Sequence, residues 1–305
     1  MVTVNVAPVS ERPERPRAWM GYLLVAAAAT SWGAQSVVAK LLLTGGLPVG
    51  SLVSTRTALA SLMVAGALAA VKPALLRIGL PDLARVALLG IVGMALSQYT
   101  YYVALSRIPV ATALLITYTA PLLVLAAAVL LDGEPLRGRE VAAAAATLLG
   151  AGLVVRAYDP ALLRLNALGL AASAACAVAF AFYSIAAKRV APRVSPWTII
   201  AYSLTTAAVF WLPLAPPWRL LLAPHPLATW VGLGVVVVFG TLVPFSLYLT
   251  GLARISAAHA SVTATLEPVV AAAVAYAVLG ERLEPLQMVG GALVLTGIVL
   301  LRVRA

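Results

Sequence analysis

Glu267 is the acidic residue set deepest within an apolar run, midway along the segment 256–279. A charged carboxylate in hydrocarbon surroundings costs about 3 kcal/mol, so it must be neutral, paired or facing a wet cavity. His259, Thr263 and Glu267 stand at i, i+4 and i+8 and share one helix face. Two accounts of Glu267 stand open. It either binds an amine or a proton, or makes a structural hydrogen bond around the Pro268 kink, where a backbone donor is missing. His259, near the end of its run, is read as a solvated terminal residue or as a proton relay.

A second group is aromatic. Trp32 and Gln35 lie on adjacent turns of one apolar run, and Gln98, Tyr101 and Tyr102 share a face of another. Tyr118, Phe180, Tyr183, Phe245 and Tyr248 fall in further runs. Aromatic rings around a buried amide suit a partly apolar solute. Tyrosines near helix ends also serve as interface belts, an explanation that weakens for the mid-run Trp32, Gln35 and Tyr183. The candidate substrate-binding set is Trp32, Gln35, Gln98, Tyr101, Tyr118, Tyr183, Tyr248, Thr263 and Glu267. Lys40 and Arg56 lie near the outer ends of the first two runs. They either snorkel and pair, or make an outer vestibule positive toward carboxylates and phosphates.

Catalytic chemistry is poorly provided for. One deep carboxylate, the terminal His259 and the loop residue His225 do not assemble a paired-carboxylate, Ser-His or metal centre. No Gly-Lys-Ser/Thr phosphate loop is present, and the single Cys176 allows neither an intrachain disulfide nor a cysteine metal cluster. The expectation is a protein that is not an enzyme, with no catalytic, cofactor or metal residues.

The elements that position these residues follow from composition. The 305-residue chain is 63% hydrophobic and 10% charged, whereas soluble domains keep roughly a quarter of their residues charged. Lipid must therefore be its solvent. Apolar runs at 20–43, 49–70, 83–105, 110–131, 141–155, 167–187, 197–214, 227–250, 256–279 and 286–301 predict transmembrane helices, the fifth and tenth short. With residues 1–18 read as a disordered cytoplasmic tail, fourteen of the 21 basic residues fall in inside segments and five outside. That asymmetry puts both termini in the cytoplasm. It also explains the +11 net charge without nucleic acid, since no basic stripe is interleaved with aromatics.

The second half repeats the first. At an offset of 148, Ser36, Ala39, Lys40 and Pro48 match Ser184, Ala187, Lys188 and Pro196. At 147, Gly93, Tyr101, Arg107, Pro121 and Glu134 match Gly240, Tyr248, Arg254, Pro268 and Glu281. The repeats are 19–157 and 166–303. With five helices each, the second must enter the membrane upside down. The expected fold is an all-α membrane protein of ten transmembrane helices, built as two inverted five-helix repeats around a central cavity.

Trp32-Gly33 followed by Lys40, Arg56 in an apolar second helix, Leu266-Glu267-Pro268-Val269 and Leu279-Gly280-Glu281-Arg282-Leu283 resemble the EamA-like branch of the drug/metabolite transporter superfamily. A weaker copy, Ala120-Pro121 and Asp132-Gly133-Glu134, departs from the pattern where alanine replaces the acidic residue before proline. The resemblance spans about Gly21 to Leu301 and implies ten helices around a central cavity, with substrates that vary widely between members.

The function expected is secondary transport, as an exporter of small organic solutes such as amino acids or related metabolites, by alternating access in the plasma membrane. Multidrug or cationic and aromatic compound efflux is the alternative, followed by a non-transporting membrane scaffold. The expected partners are a small-molecule substrate, the lipid bilayer and protons as coupling ion, in a monomer or homodimer.

Overall fold

The computed structural model describes residues 18–108, 110–133, 137–154, 156–159, 166–279 and 284–300. The expected tail and the Gly280–Leu283 stretch lie outside the described residues. Among these, every regular element is a helix. We number them α1 (Ala18–Thr44), α2 (Val49–Val71), α3 (Leu80–Arg107), α4a (Val110–Thr117) and α4b (Ala120–Asp132), and α5 (Gly138–Val154). There follow α6 (Ala167–Val190), α7 (Pro196–Trp211), α8 (Leu227–Leu252), α9a (Ala257–Ala264), α9b (Glu267–Leu279) and α10 (Pro285–Leu300). Among the described residues seven segments are long and apolar enough to cross a membrane: α1, α2, α3, α6 and α8 entire, Ala113–Leu131 and Ala257–Val274. The helices α5, α7 and α10, at 17, 16 and 16 residues, are shorter. The run expected at 197–214 stops at Trp211 because Pro213, Pro216 and Pro217 cannot donate to a continuing helix.

The two halves interlock at close contacts that repeat with the sequence. A Cβ added at Gly21 would lie 2.7 Å from Ile255 Cγ2, and one at Gly169 would lie 2.6 Å from Ile108 Cγ2. Gly169 is the counterpart of Gly21, and Ile255 that of Ile108. Each pair joins one half to the other, so each half docks on its partner through the same surface. α5 and α10 pack still closer. A Cβ at Gly150 would meet the Gly290 carbonyl oxygen at 2.6 Å, and a Cβ at Gly290 the Gly150 oxygen at 2.6 Å. Small residues allow such backbone approach where lipid offers no hydrophobic drive to association.

Two kinds of irregularity interrupt the apolar runs, of which only a kink at Pro268 was expected. The first is a pair of breaks, at Tyr118–Thr119 and at Thr265–Leu266. Pro121 and Pro268 supply no N–H and crowd the carbonyl four residues earlier, which is where α4a ends at Thr117 and α9a at Ala264. The second is a pair of π-helical stretches, Leu89–Leu96 within α3 and Val238–Leu242 within α8. They hold Gly93 and its counterpart Gly240. Irregular backbone at membrane depth is tolerated where it is buried in protein or lines a cavity.

Candidate functional site

Both helix breaks open onto one cavity of about 630 Å3. The two broken segments contribute equivalent positions: Leu114, Thr117 and Ala120 on one side, Ser261, Ala264 and Glu267 on the other. Tyr118 and Pro121 add to the first wall. α1 supplies Trp32 and Gln35, α6 supplies Cys176 and Phe180, and α3 supplies Ser97, Gln98 and Tyr101. The cavity is therefore built from both halves, but only α3 and not its counterpart α8 reaches it.

Glu267 is the first residue of α9b, where its carboxylate complements the positive end of the helix dipole. At the same position of the first half stands Ala120, so the start of α4b carries no carboxylate of its own. Gly33 brings α1 against this break. A Cβ there would lie 2.5 Å from the Glu267 carbonyl oxygen. Trp32, one residue earlier, packs edge-on against Phe245 at 5.1 Å and Phe180 at 6.2 Å between ring centroids. Its orientation is thus fixed from behind. Among the described residues the Trp32 indole N–H, the Tyr101 hydroxyl and the Ser261 hydroxyl are buried without a hydrogen-bond partner, on walls of this cavity. Unpaired buried polar groups cost about 1–3 kcal/mol each, which a polar solute in the cavity would relieve.

Six of the expected residues, Trp32, Gln35, Gln98, Tyr101, Tyr118 and Glu267, lie on this wall. Tyr183, Tyr248 and Thr263 do not. Tyr183 is fully buried against Gly93, whose missing Cβ leaves room for the ring within the α3 π-stretch. Tyr248 stands behind Trp32 and exchanges a 2.7 Å hydrogen bond with Ser184. Thr263 faces away, its hydroxyl donating to the His259 carbonyl at 2.7 Å. His259 itself is tied rather than solvated, with Tyr22 OH 2.6 Å from Nδ1 and Glu140 Oε1 3.6 Å from Nε2.

Arg56 is not in an outer vestibule. It is fully buried, and its guanidinium joins the two halves. Nε donates to Thr241 Oγ1 at 2.9 Å, one terminal nitrogen to the Tyr102 hydroxyl, and the other to the Gly240 carbonyl at 3.0 Å. Pro244 cannot donate to that carbonyl from four residues on, and the arginine supplies the donor instead. Lys40 donates to the Leu105 carbonyl near the C-terminus of α3, as its counterpart Lys188 does to Leu252 in α8. Outside the helices, Tyr158 donates to Glu284 at 2.5 Å, a hydrogen bond that raises the phenol above its ordinary pKa, and Arg156 pairs with Glu284 at 3.0 Å.

Sequence reasoning missed Ser97, Leu114, Thr117, Ala120, Ser261 and Ala264 as cavity residues. A signal existed: carrying Glu267 back by 147 reaches Ala120, and stepping three and six residues earlier along both broken helices reaches the other wall positions of those helices.

Helical membrane architecture, an internal repeat and a cavity at paired helix breaks describe a carrier of small solutes. The chain belongs to the EamA-like transporter family, whose model matches it twice, over residues 19–156 and 167–303. It is similar to a probable terminal-alkyne amino-acid exporter of Streptantibioticus cattleyicolor, 32% identical over 224 residues that cover 73% of this chain and 74% of that protein. An uncharacterized transporter of Archaeoglobus fulgidus is 29% identical over 206 residues, 67% of this chain and 72% of that protein. The aromatic amino acid exporter YddG of Ancylobacter novellus is 35% identical over 130 residues, 39% of this chain and 42% of that protein. A crystal structure with 24% sequence identity superposes with a TM-score of 0.76 over 93% of this chain and 96% of that one, and so shares its fold.

Proposed function

We propose that the protein exports amino acids or closely related zwitterionic metabolites across the plasma membrane, both its termini being cytoplasmic. Its helices form ten spans in two inverted five-helix repeats, 19–157 and 166–303, which rock to open the cavity to one side at a time. The observation that carries this reading is the unlike pair Glu267 and Ala120 at equivalent helix starts. Glu267 offers a carboxylate to a solute ammonium group. The start of α4b, lacking a carboxylate, offers the positive end of a helix to the solute carboxylate. Trp32, Phe180 and Tyr101 cover the side chain by apolar packing, with the indole N–H and hydroxyls free to bond polar atoms. The amino-acid exporters among the relatives support the same substrate class.

Proton coupling runs through Glu267, which holds either a proton or the solute amine. Counterflow of radiolabelled L-phenylalanine into proteoliposomes tests the reading. Wild type is expected to accumulate the label, and an imposed proton gradient to drive net movement that Glu267→Gln abolishes. Unchanged gradient-driven uptake in that variant would remove the coupling role. The aromatic wall beside a single carboxylate also favours a second reading, efflux of lipophilic aromatic cations. Competition by tetraphenylphosphonium but not by phenylalanine would establish that one in its place.

A further inference from the structure

Serine and threonine hydroxyls in a helix commonly turn back to a carbonyl three or four residues earlier. Along the two broken segments Thr117, Thr119, Thr263 and Thr265 all do so. They donate to the carbonyls of Ala113, Ile116, His259 and Val262 at 2.6–2.9 Å. Ser261 of α9a does not. It is 1% exposed, its hydroxyl has no hydrogen-bond partner, and it lines the cavity. Its repeat counterpart on the other broken helix is Leu114, so the equivalent place on that wall is apolar. On the α9 wall only Ala264 stands between Ser261 and Glu267 among the cavity residues. The six residues from Ser261 to Glu267 correspond to about 9 Å of rise along the helix. The cavity thus carries an unused hydroxyl well away from its carboxylate, with small or apolar side chains around it.

Resting on the amino-acid reading above, we propose that Ser261 selects solutes whose aromatic side chain ends in a hydroxyl, that is, phenolic amino acids. With its ammonium at Glu267, such a solute extends along α9a and brings its phenol to Ser261. Either oxygen can donate to the other. The ring packs on Leu114 and Phe180, both of which line the cavity. A hydroxyl carried directly on the β-carbon falls short of that span. A plain phenyl ring reaches it with nothing to offer, and leaves the Ser261 hydroxyl buried against carbon. A site that hydrogen-bonds a solute hydroxyl rejects the analogue lacking it for this reason. Ser261 therefore determines specificity, while Glu267 holds the amine common to every solute of the class.

The test measures kcat/KM in proteoliposomes for L-tyrosine against L-phenylalanine, and for tyramine against phenethylamine, which lack the carboxylate. Wild type is expected to favour the hydroxylated member of each pair by about tenfold, the worth of one net hydrogen bond to a buried group. Ser261→Ala should bring the ratio close to one by lowering the value for tyrosine and leaving that for phenylalanine unchanged. The ratio is read again in Ser261→Cys, which swaps the hydroxyl for a weakly hydrogen-bonding thiol and should also lower it. Three results would overturn the proposal: no preference in wild type, a preference that survives both substitutions, or an equal fall for both solutes in both variants. If wild type carries neither amino acid, the amino-acid reading fails and the amine pair decides for Ser261 alone. Tyramine carried ahead of phenethylamine by wild type but not by Ser261→Ala would uphold its role. Equal carriage of the two amines, or none, would overturn it.

Discussion

At the scale of single residues, Glu267 and Arg56 show how differently two charged groups inside an apolar bundle are handled. Glu267 lines the cavity, whereas Arg56 is sealed among Tyr102, Thr241 and the Gly240 carbonyl. Replacing Arg56 by methionine removes its hydrogen bonds to Tyr102, Thr241 and the Gly240 carbonyl, of which Thr241 keeps a 3.1 Å bond to the Val236 carbonyl. It should lower stability by about 2–4 kcal/mol, read as a fall in melting temperature in detergent. Arg56→Lys should lie between, since a compact ammonium cannot reach all three partners. Equal melting of Arg56→Met and wild type would contradict that account. Glu267 was legible in the sequence because a carboxylate in an apolar run has few ordinary explanations. Of the two accounts of Arg56, pairing holds and the outer vestibule does not; its distance from the helix end could not name partners in the other half. Tyr183, Tyr248 and Thr263 do not line this cavity, because a mid-helix position does not say which side of a wall a side chain takes.

At the scale of elements, the breaks in α4 and α9 and the π-stretches in α3 and α8 shape the site. The breaks were readable in principle from Pro121 and Pro268, each ending its helix four residues earlier. The π-stretches were not, because glycine in a membrane helix serves close packing as often as irregular backbone. Here it does both. Gly93 admits Tyr183, and Gly240 admits Gln35, whose Oε1 would lie 2.6 Å from an added Cβ. Gln35 and Tyr183 are repeat counterparts, so each π-stretch receives a side chain from the other half. Gly33→Ala forces its methyl into the Glu267 carbonyl, which no rotamer change can relieve. That variant should lose transport at least tenfold in counterflow, a shift of about 1.4 kcal/mol, while still inserting and purifying. Wild-type rates would show that α1 can withdraw from the break without consequence. Gly150→Leu should instead part α5 from α10 and lower the melting temperature, because the Gly290 backbone stands where its side chain must go.

At the scale of the whole molecule, the repeated cross-half contacts at Gly21 and Gly169 support two like units that dock through the same surface. The matched residues at offsets of 147 and 148 made this repeat legible. The shortness of α5 and α10 followed from hydropathy, whereas α7, expected to reach 214, ends at Trp211 ahead of Pro213, Pro216 and Pro217. Inversion expects single cysteines at Gly133 and at Glu284, in a Cys176→Ser background, to react with an impermeant maleimide from opposite faces. Labelling from one face would exclude inverted repeats. The central claim is that the solute occupies the cavity between the broken helices. Cys176, the chain's one cysteine, stands on that wall and reports on it directly. Its alkylation by N-ethylmaleimide should slow about tenfold when a transported amino acid is present at ten times its Kd, as simple occupancy requires. Alkylation at an unchanged rate, under conditions where that amino acid is being carried, would place the solute elsewhere and contradict the account.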